Sequence, residues 1–200
     1  METHYFRIVC LGNSNVGKTT MCTVIRKNKF DEFPAANTIG AEFSSTTDFF
    51  DQNKKIRVDL WDIAGQEKYR SLVTLFFRYA DLFLLIFDIS NRNSFVSVFD
   101  WINLVFTKCN GNQIMILVAN KEDNTQEVSD QEIEDFVEKN RCIVAWTKVS
   151  ALKKQNIQHL KNIIYDVAIS NNLLREKYND EEEKVYFFKK PEGCNNCYFN

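Results

Sequence analysis

Six short apolar, β-rich runs, at residues 5–11, 41–50, 56–63, 82–89, 113–119 and 142–149, alternate with segments of helical period at 18–27, 93–109, 129–140 and 154–171. Strands that alternate with helices pair in parallel through crossovers, so the pattern predicts an α/β fold with a six-stranded, mostly parallel sheet and helices on both faces. The turn signal DQN at 51–53 separates the second and third runs by too little chain for a crossover, so those two are expected to pair antiparallel at the sheet edge. Ser129 with Glu132 three residues later has the form of a capping box at a helix start.

Two hundred residues suit one domain with a short appendage. At 44% hydrophobic with seventeen Phe the chain can bury a core, and a formal charge of -2 provides no electrostatic footprint for nucleic acid. The first residues lack a basic region followed by a long apolar run, so no secretory leader is expected, and no apolar stretch approaches a membrane span. Cys10, Cys22, Cys109 and Cys142 fall within apolar or helical patterns, which disfavours a disulfide framework and points to a reducing cytosol. The apolar period fades near residue 171, so 1–170 is read as the folded domain and 171–200 as a flexible tail.

Directly after the first run comes GNSNVGKT, residues 12–19, which fits G-x-x-x-x-G-K-[ST] between a strand and a helix. Such a P-loop turns backbone amides and a helix N-terminus toward phosphate oxygens. Ser14, Asn15, Val16, Gly17, Lys18, Thr19 and Thr20 are the candidate phosphate contacts, with Lys18 reaching the outer phosphates and the Thr19 hydroxyl offering a Mg2+ position. After the fifth run, ANKED brings Asn120, Lys121 and Asp123 to a strand end. A carboxylate at Asp123 can accept two hydrogen bonds from guanine, whereas adenine offers an acceptor and a C–H there. One βα unit later, VSAL supplies Ser150, Ala151 and Leu152. In WDIAGQE, residues 61–67, Asp62 is placed to hold Mg2+, the Gly65 amide to meet a terminal phosphate and Gln66 to orient an attacking water.

Together GNSNVGKT, TIG (38–40), WDIAGQE, NKED and SAL resemble the five nucleotide-contacting motifs of the Ras-like small GTPases, in order. IGAEF (39–43), RVDLW (57–61), KYRSL (68–72), FFRYA (76–80) and FDISN (87–91) narrow the resemblance to Rab proteins. The resemblance covers roughly residues 5–170 and implies GTP hydrolysis with Mg2+ in a switch for vesicle traffic. It implies that Thr38 closes on Mg2+ and the terminal phosphate in the GTP state, that Phe30 packs against guanine and that Ala151 offers its amide to the base. It further implies an effector triad of Phe43, Trp61 and Phe76, although aromatic residues on strands and helices are often core. The implied partners are an activating protein, an exchange factor, effectors, a prenylation escort and a GDP-dissociation inhibitor, around a monomer.

The chain departs from the family pattern in places. Leu152 stands where a lysine is usual, the spacing from Phe30 to Thr38 is one residue longer with Pro34 inside, Asn15 holds a position often glycine or alanine, and Phe76 replaces a common tyrosine. No arginine is placed as an internal finger, so catalytic groups supplied in trans are expected to accelerate slow hydrolysis by Gln66, Lys18 and Thr38. Between 171 and 192 six acidic residues face five basic ones, so anionic lipid would attract the tail little. Cys194 and Cys197 are then candidates for two prenyl groups, since one lipid chain anchors only marginally. Their C-x-x-C spacing also fits half a zinc site. Prenylation would put the protein in the cytosol and on the cytosolic face of endomembranes. The rival readings are a nucleotide-binding interaction module with negligible turnover and an ATP-using P-loop enzyme.

Overall fold

The computed structural model describes residues 2–27, 41–51, 54–65 and 74–176. In chain order these form β1 (Glu2–Leu11), α1 (Lys18–Lys27), β2 (Ala41–Asp51), β3 (Lys54–Ile63), a 3-10 helix (Thr74–Tyr79), β4 (Leu82–Asp88), α2 (Arg92–Val96), α3 (Val98–Lys108), β5 (Met115–Asn120), α4 (Asp130–Lys139), β6 (Ile143–Lys148) and α5 (Ile157–Ser170). The strands make one sheet in the order β2-β3-β1-β4-β5-β6. All neighbours pair in parallel except β2 with β3, the antiparallel edge expected from the DQN turn.

Strand periodicity divides the core in two. Phe6, Ile8 and Cys10 of β1 point with Leu84 and Ile86 of β4 into a cluster closed by Met21, Val24 and Ile25 of α1 and Leu160 and Ile164 of α5. The alternate residues Val9, Leu11, Phe83, Leu85 and Phe87 meet Phe77, Trp101, Ile102, Val105 and Ile133 on the other face. Covered on both sides, β4 and β5 are buried at every position, which is why LFLLIFD and MILVAN read as continuous apolar runs. The flanking β2, AEFSSTTDFFD, carries Ser and Thr.

From β1 the chain passes to the edge strand β2, returns through β3 beside β1, and then crosses to β4 on the other side, from which it continues outward to β6. This reversal at β1 opens a crevice at the carboxyl ends of the parallel strands, where ligands of open α/β sheets bind. Ser129 caps α4 with the expected reciprocal box: its hydroxyl accepts from the Glu132 amide and its own amide donates to the Glu132 carboxylate.

The expected helix at 93–109 is two helices, α2 and α3, meeting at Ser97. The Ser97 hydroxyl donates to the Asn93 carbonyl at 2.9 Å, a local bond of the kind that competes with helix propagation. Packing also extends past 170, where the tail was expected to begin. Leu173 and Leu174 lie against the first core cluster, and Arg175 bridges to Tyr5 through backbone bonds of 2.8 and 2.9 Å. β4 pairs with β1 only from Ile8 onward, so the chain after α5 fills the edge that Tyr5 presents. Asp81 secures the corner, accepting from the Arg7 amide at 2.9 Å and from the Arg175 guanidinium.

Candidate functional site

Every described segment singled out in the sequence for nucleotide chemistry lies at the carboxyl end of a parallel strand: the loop after Leu11, Asp62 to Gly65 at the end of β3, Asn120 to Asp123 after β5, and Ser150 to Leu152 after β6. The phosphate loop turns tightly. Asn15 sits at φ 64, a left-handed conformation that Asn tolerates better than most side chains, which accounts for its place in the motif. Gly17 is at φ 92, and a Cβ there would lie 2.4 Å from the Asn120 amide nitrogen. Only glycine combines that backbone with that neighbour.

Lys18 opens α1 directly behind the loop and is buried, with its ammonium 2.8 Å from the Asn13 carbonyl. Burial pulls its pKa below the usual lysine value, opposed by the nearby Asp62 carboxylate. A buried cation beside a helix N-terminus suits an anionic ligand. The Thr19 hydroxyl donates to Asp62 Oδ2. These two hard oxygen donors, adjacent at the mouth of the loop, fit Mg2+, which takes few protein ligands and shares the rest with phosphates and water.

Asn120 joins three segments. Its amide nitrogen donates to the Val16 carbonyl at 2.8 Å, and its Oδ1 accepts from the Ala151 amide at 3.1 Å. The Ala151 amide, expected to face a base, is thus engaged by Asn120 in this structure. Ser150, fully buried, donates to Asp123 Oδ1 at 2.6 Å and accepts from the Lys153 amide at 3.0 Å, which orients the carboxylate. Leu152 is 56% exposed beside them.

Lys121 adopts φ 64, and its ammonium meets Asp88 at 2.7 Å. Asp88 also accepts from the Ser90 amide and hydroxyl at 2.9 and 2.6 Å. Burial pushes the Asp88 carboxyl up, but the bonds from Lys121 and Ser90 outweigh it and hold its pKa below the usual aspartate value. Asp88 and Ser90 were not anticipated as site residues. The signal was the acidic end of the apolar run FDIS, where a buried carboxylate requires a cation.

Phe43, Trp61 and Phe76 form a continuous ring contact, with centroids 4.9 and 4.8 Å apart along the row. Phe43 is exposed and the other two half-buried, so the row is neither core nor free surface. Ser14 and Thr20 flank the loop half-buried. Phe30, Thr38, Gln66, Cys194 and Cys197 lie outside the described residues. Among the described residues no helix is long and apolar enough to cross a membrane.

A strand, a glycine-bearing loop and a helix at the switch point of this sheet, with Asn120 stitching a second loop pair to the first, define a P-loop nucleoside triphosphatase of the small GTPase type. The family model described as the Ras family matches residues 7–169. Ras-related protein Rab-11B of Dictyostelium discoideum is 34% identical over 180 residues, covering 87% of this chain and 80% of that protein. GTP-binding protein ypt3 of Schizosaccharomyces pombe is 32% identical over 157 residues, 78% of this chain and 72% of its own length. Ras-related protein Rab-11A of Dictyostelium discoideum is 33% identical over the same shares. The chain belongs to the Ras family and, within it, to the Rab-like small GTPases.

Proposed function

We propose that this protein is a vesicle-traffic switch that binds GTP and GDP, hydrolyses GTP with Mg2+ and recruits effectors in the GTP state. The observation that carries the reading is Asn120, whose two bonds to Val16 and Ala151 hold a phosphate loop and a purine-selecting loop in one frame. A purine nucleotide needs both at once. Asp123, oriented by Ser150, would accept from the ring and exocyclic N–H groups of guanine.

Phosphoryl transfer to water passes through a loose transition state, so the protein's share is positioning and electrostatics. Lys18 would hold the outer phosphates, its lowered pKa recovering as an anion arrives. Thr19 and Asp62 would hold Mg2+ together with Thr38, and the metal when bound supplies charge neutralisation at the phosphates. Gln66 would orient the attacking water, and Gly65 leaves space for its amide to approach the terminal phosphate. An activating protein supplying groups in trans would raise turnover by about a thousandfold or more.

The exposed Phe43 in contact with Trp61 and Phe76 would let effectors sense the nucleotide through aromatic anchors. Residues 1–170 would serve as the GTP-binding domain, with 173–175 as the root of a tail whose Cys194 and Cys197 carry prenyl groups. Exchange factors, a prenylation escort and a GDP-dissociation inhibitor complete the cycle between cytosol and endomembranes.

Competition between GTP and ATP for the purified protein, followed by single-turnover hydrolysis with and without host extract, tests the proposal. Guanine selectivity with stimulated hydrolysis is expected. Preference for ATP would overturn it, and GTP held without turnover under either condition would leave a nucleotide-gated interaction module.

A further inference from the structure

Trp101 of α3 is 1% exposed and lies among Ile102, Val105 and Phe83 in the second core cluster. A leucine or phenylalanine would fill such a place without bringing a polar hydrogen into it. The indole N–H instead donates to Oδ1 of Asn13 at 3.0 Å, linking the helix to the phosphate loop across 88 residues of sequence. A buried indole N–H requires an acceptor, and here the acceptor is a side chain of the loop itself.

Asn13 is the point where the loop meets its neighbours. Its carbonyl accepts from the Lys18 ammonium at 2.8 Å. On the other side, a Cβ built on Gly65 would fall 2.5 Å from the Asn13 carbonyl carbon and 2.6 Å from its oxygen, so this peptide and Gly65 are in close contact. A rotation of Asn13 would carry its carbonyl away from Lys18 or into Gly65.

We infer that Trp101 is a positioning residue for nucleotide binding: its indole N–H fixes Asn13, and through the Asn13 peptide it sets Lys18 and the approach of Gly65. The inference rests on the reading of this loop as the GTP and GDP phosphate site. It assigns to α3 a structural control over nucleotide retention that no residue of the loop provides by itself.

The test uses the full chain loaded with GDP and Mg2+. Trp101→Phe keeps an aromatic ring and removes the N–H; Asn13→Ala removes the acceptor. Each single variant is expected to release GDP about two- to tenfold faster, the range set by one hydrogen bond, and the double variant no faster than either single one, because both remove the same bond. The indole N–H resonance of Trp101, assigned in the wild-type chain by sequential NMR assignment, is expected to move in Asn13→Ala; this arm needs only the folded Asn13 variant and stands if Trp101→Phe fails to fold. Wild-type GDP release in Trp101→Phe, effects that multiply in the double variant, or an unmoved indole resonance would overturn the inference. A wild-type chain that holds no guanine nucleotide removes the site reading itself, an outcome seen before any variant is compared.

Discussion

Asn120 and Val16 are 104 residues apart in sequence, yet the Asn120 amide donates to the Val16 carbonyl at 2.8 Å. Asn120 is 2% exposed, as are Val16 and Ala151. Asn120→Ala therefore leaves buried backbone groups of two loops without their partner. We expect a loss of about 2–4 kcal/mol in unfolding free energy and at least tenfold weaker GDP binding, read by denaturant titration and by equilibrium binding of a fluorescent GDP. Full-strength binding by the variant would show that the two loops hold their geometry without this side chain.

Ser150 acts on a charge. Its hydroxyl donates to Asp123 Oδ1 at 2.6 Å from a fully buried position. Removing a hydrogen bond to a carboxylate costs about 1.5–3 kcal/mol, so Ser150→Ala should weaken GDP binding about ten- to hundredfold. The loss should be smaller for adenine nucleotides, whose affinity does not depend on the orientation of Asp123. Equal losses for GDP and ADP would assign Ser150 to the fold alone.

Gly65 has no room for a methyl group, because the nearest atoms to an added Cβ are backbone atoms of Asn13 and Ser14 at 2.5 Å. Backbone cannot swing aside as a side chain can, so Gly65→Ala must push the phosphate loop or displace the end of the β3 segment. A cost of about 1–3 kcal/mol is expected in thermal unfolding, with GTP hydrolysis reduced at least tenfold. Normal single-turnover hydrolysis would show that the two segments can separate harmlessly.

Acid should loosen α4 in a defined window. The bond from Arg92, followed by those from the Ser129 amide and hydroxyl, holds the Glu132 carboxyl at about 2, down from its ordinary 4.5. A depressed folded-state value means that the stabilisation is complete above pH 4.5 and is lost as pH falls toward 2. Glu132 is exposed, so the effect is modest and shrinks in salt. The thermal midpoint of Glu132→Gln should vary less with pH across that window than that of the wild type, and parallel curves would remove Glu132 from the acid response.

A chain ended after Ser170 should be about 1–3 kcal/mol less stable than one ended after Glu176, having lost the packing of Leu173 and Leu174 and the bonds to Tyr5. Identical midpoints for the two would mean that residues 171–176 add nothing to the fold.

Much of this architecture was legible because β4 and β5 are buried on both faces and so cannot carry polar residues until they end at Asp88 and Asn120. β1 was read only from residue 5, since Glu2, Thr3 and His4 carry no apolar signal; what makes them strand is pairing with Lys54, Lys55 and Ile56 of β3. The helical period of 93–109 carries no mark of the break at Ser97, which separates α2 from α3. In the site, Asn120, Asp123 and Ser150 were visible because each belongs to a motif of fixed spacing. Asp88 and Ser90 lie in FDISN, which carried only the family resemblance, and Trp101 lies in no motif: their roles arise from neighbours brought up by the sheet, Lys121 for the first two and Asn13 for the third.

The bridge between Tyr5 and Arg175 lies toward the amino end of β1, while the phosphate loop begins beyond Leu11 at its other end. At about 3.3 Å per residue, those poles are roughly 20 Å apart. A tether pulling on the chain beyond Arg175 would be felt first by a sheet edge and the Arg175–Asp81 ion pair, so mechanical strain at one pole need not pry open the nucleotide cradle at the other.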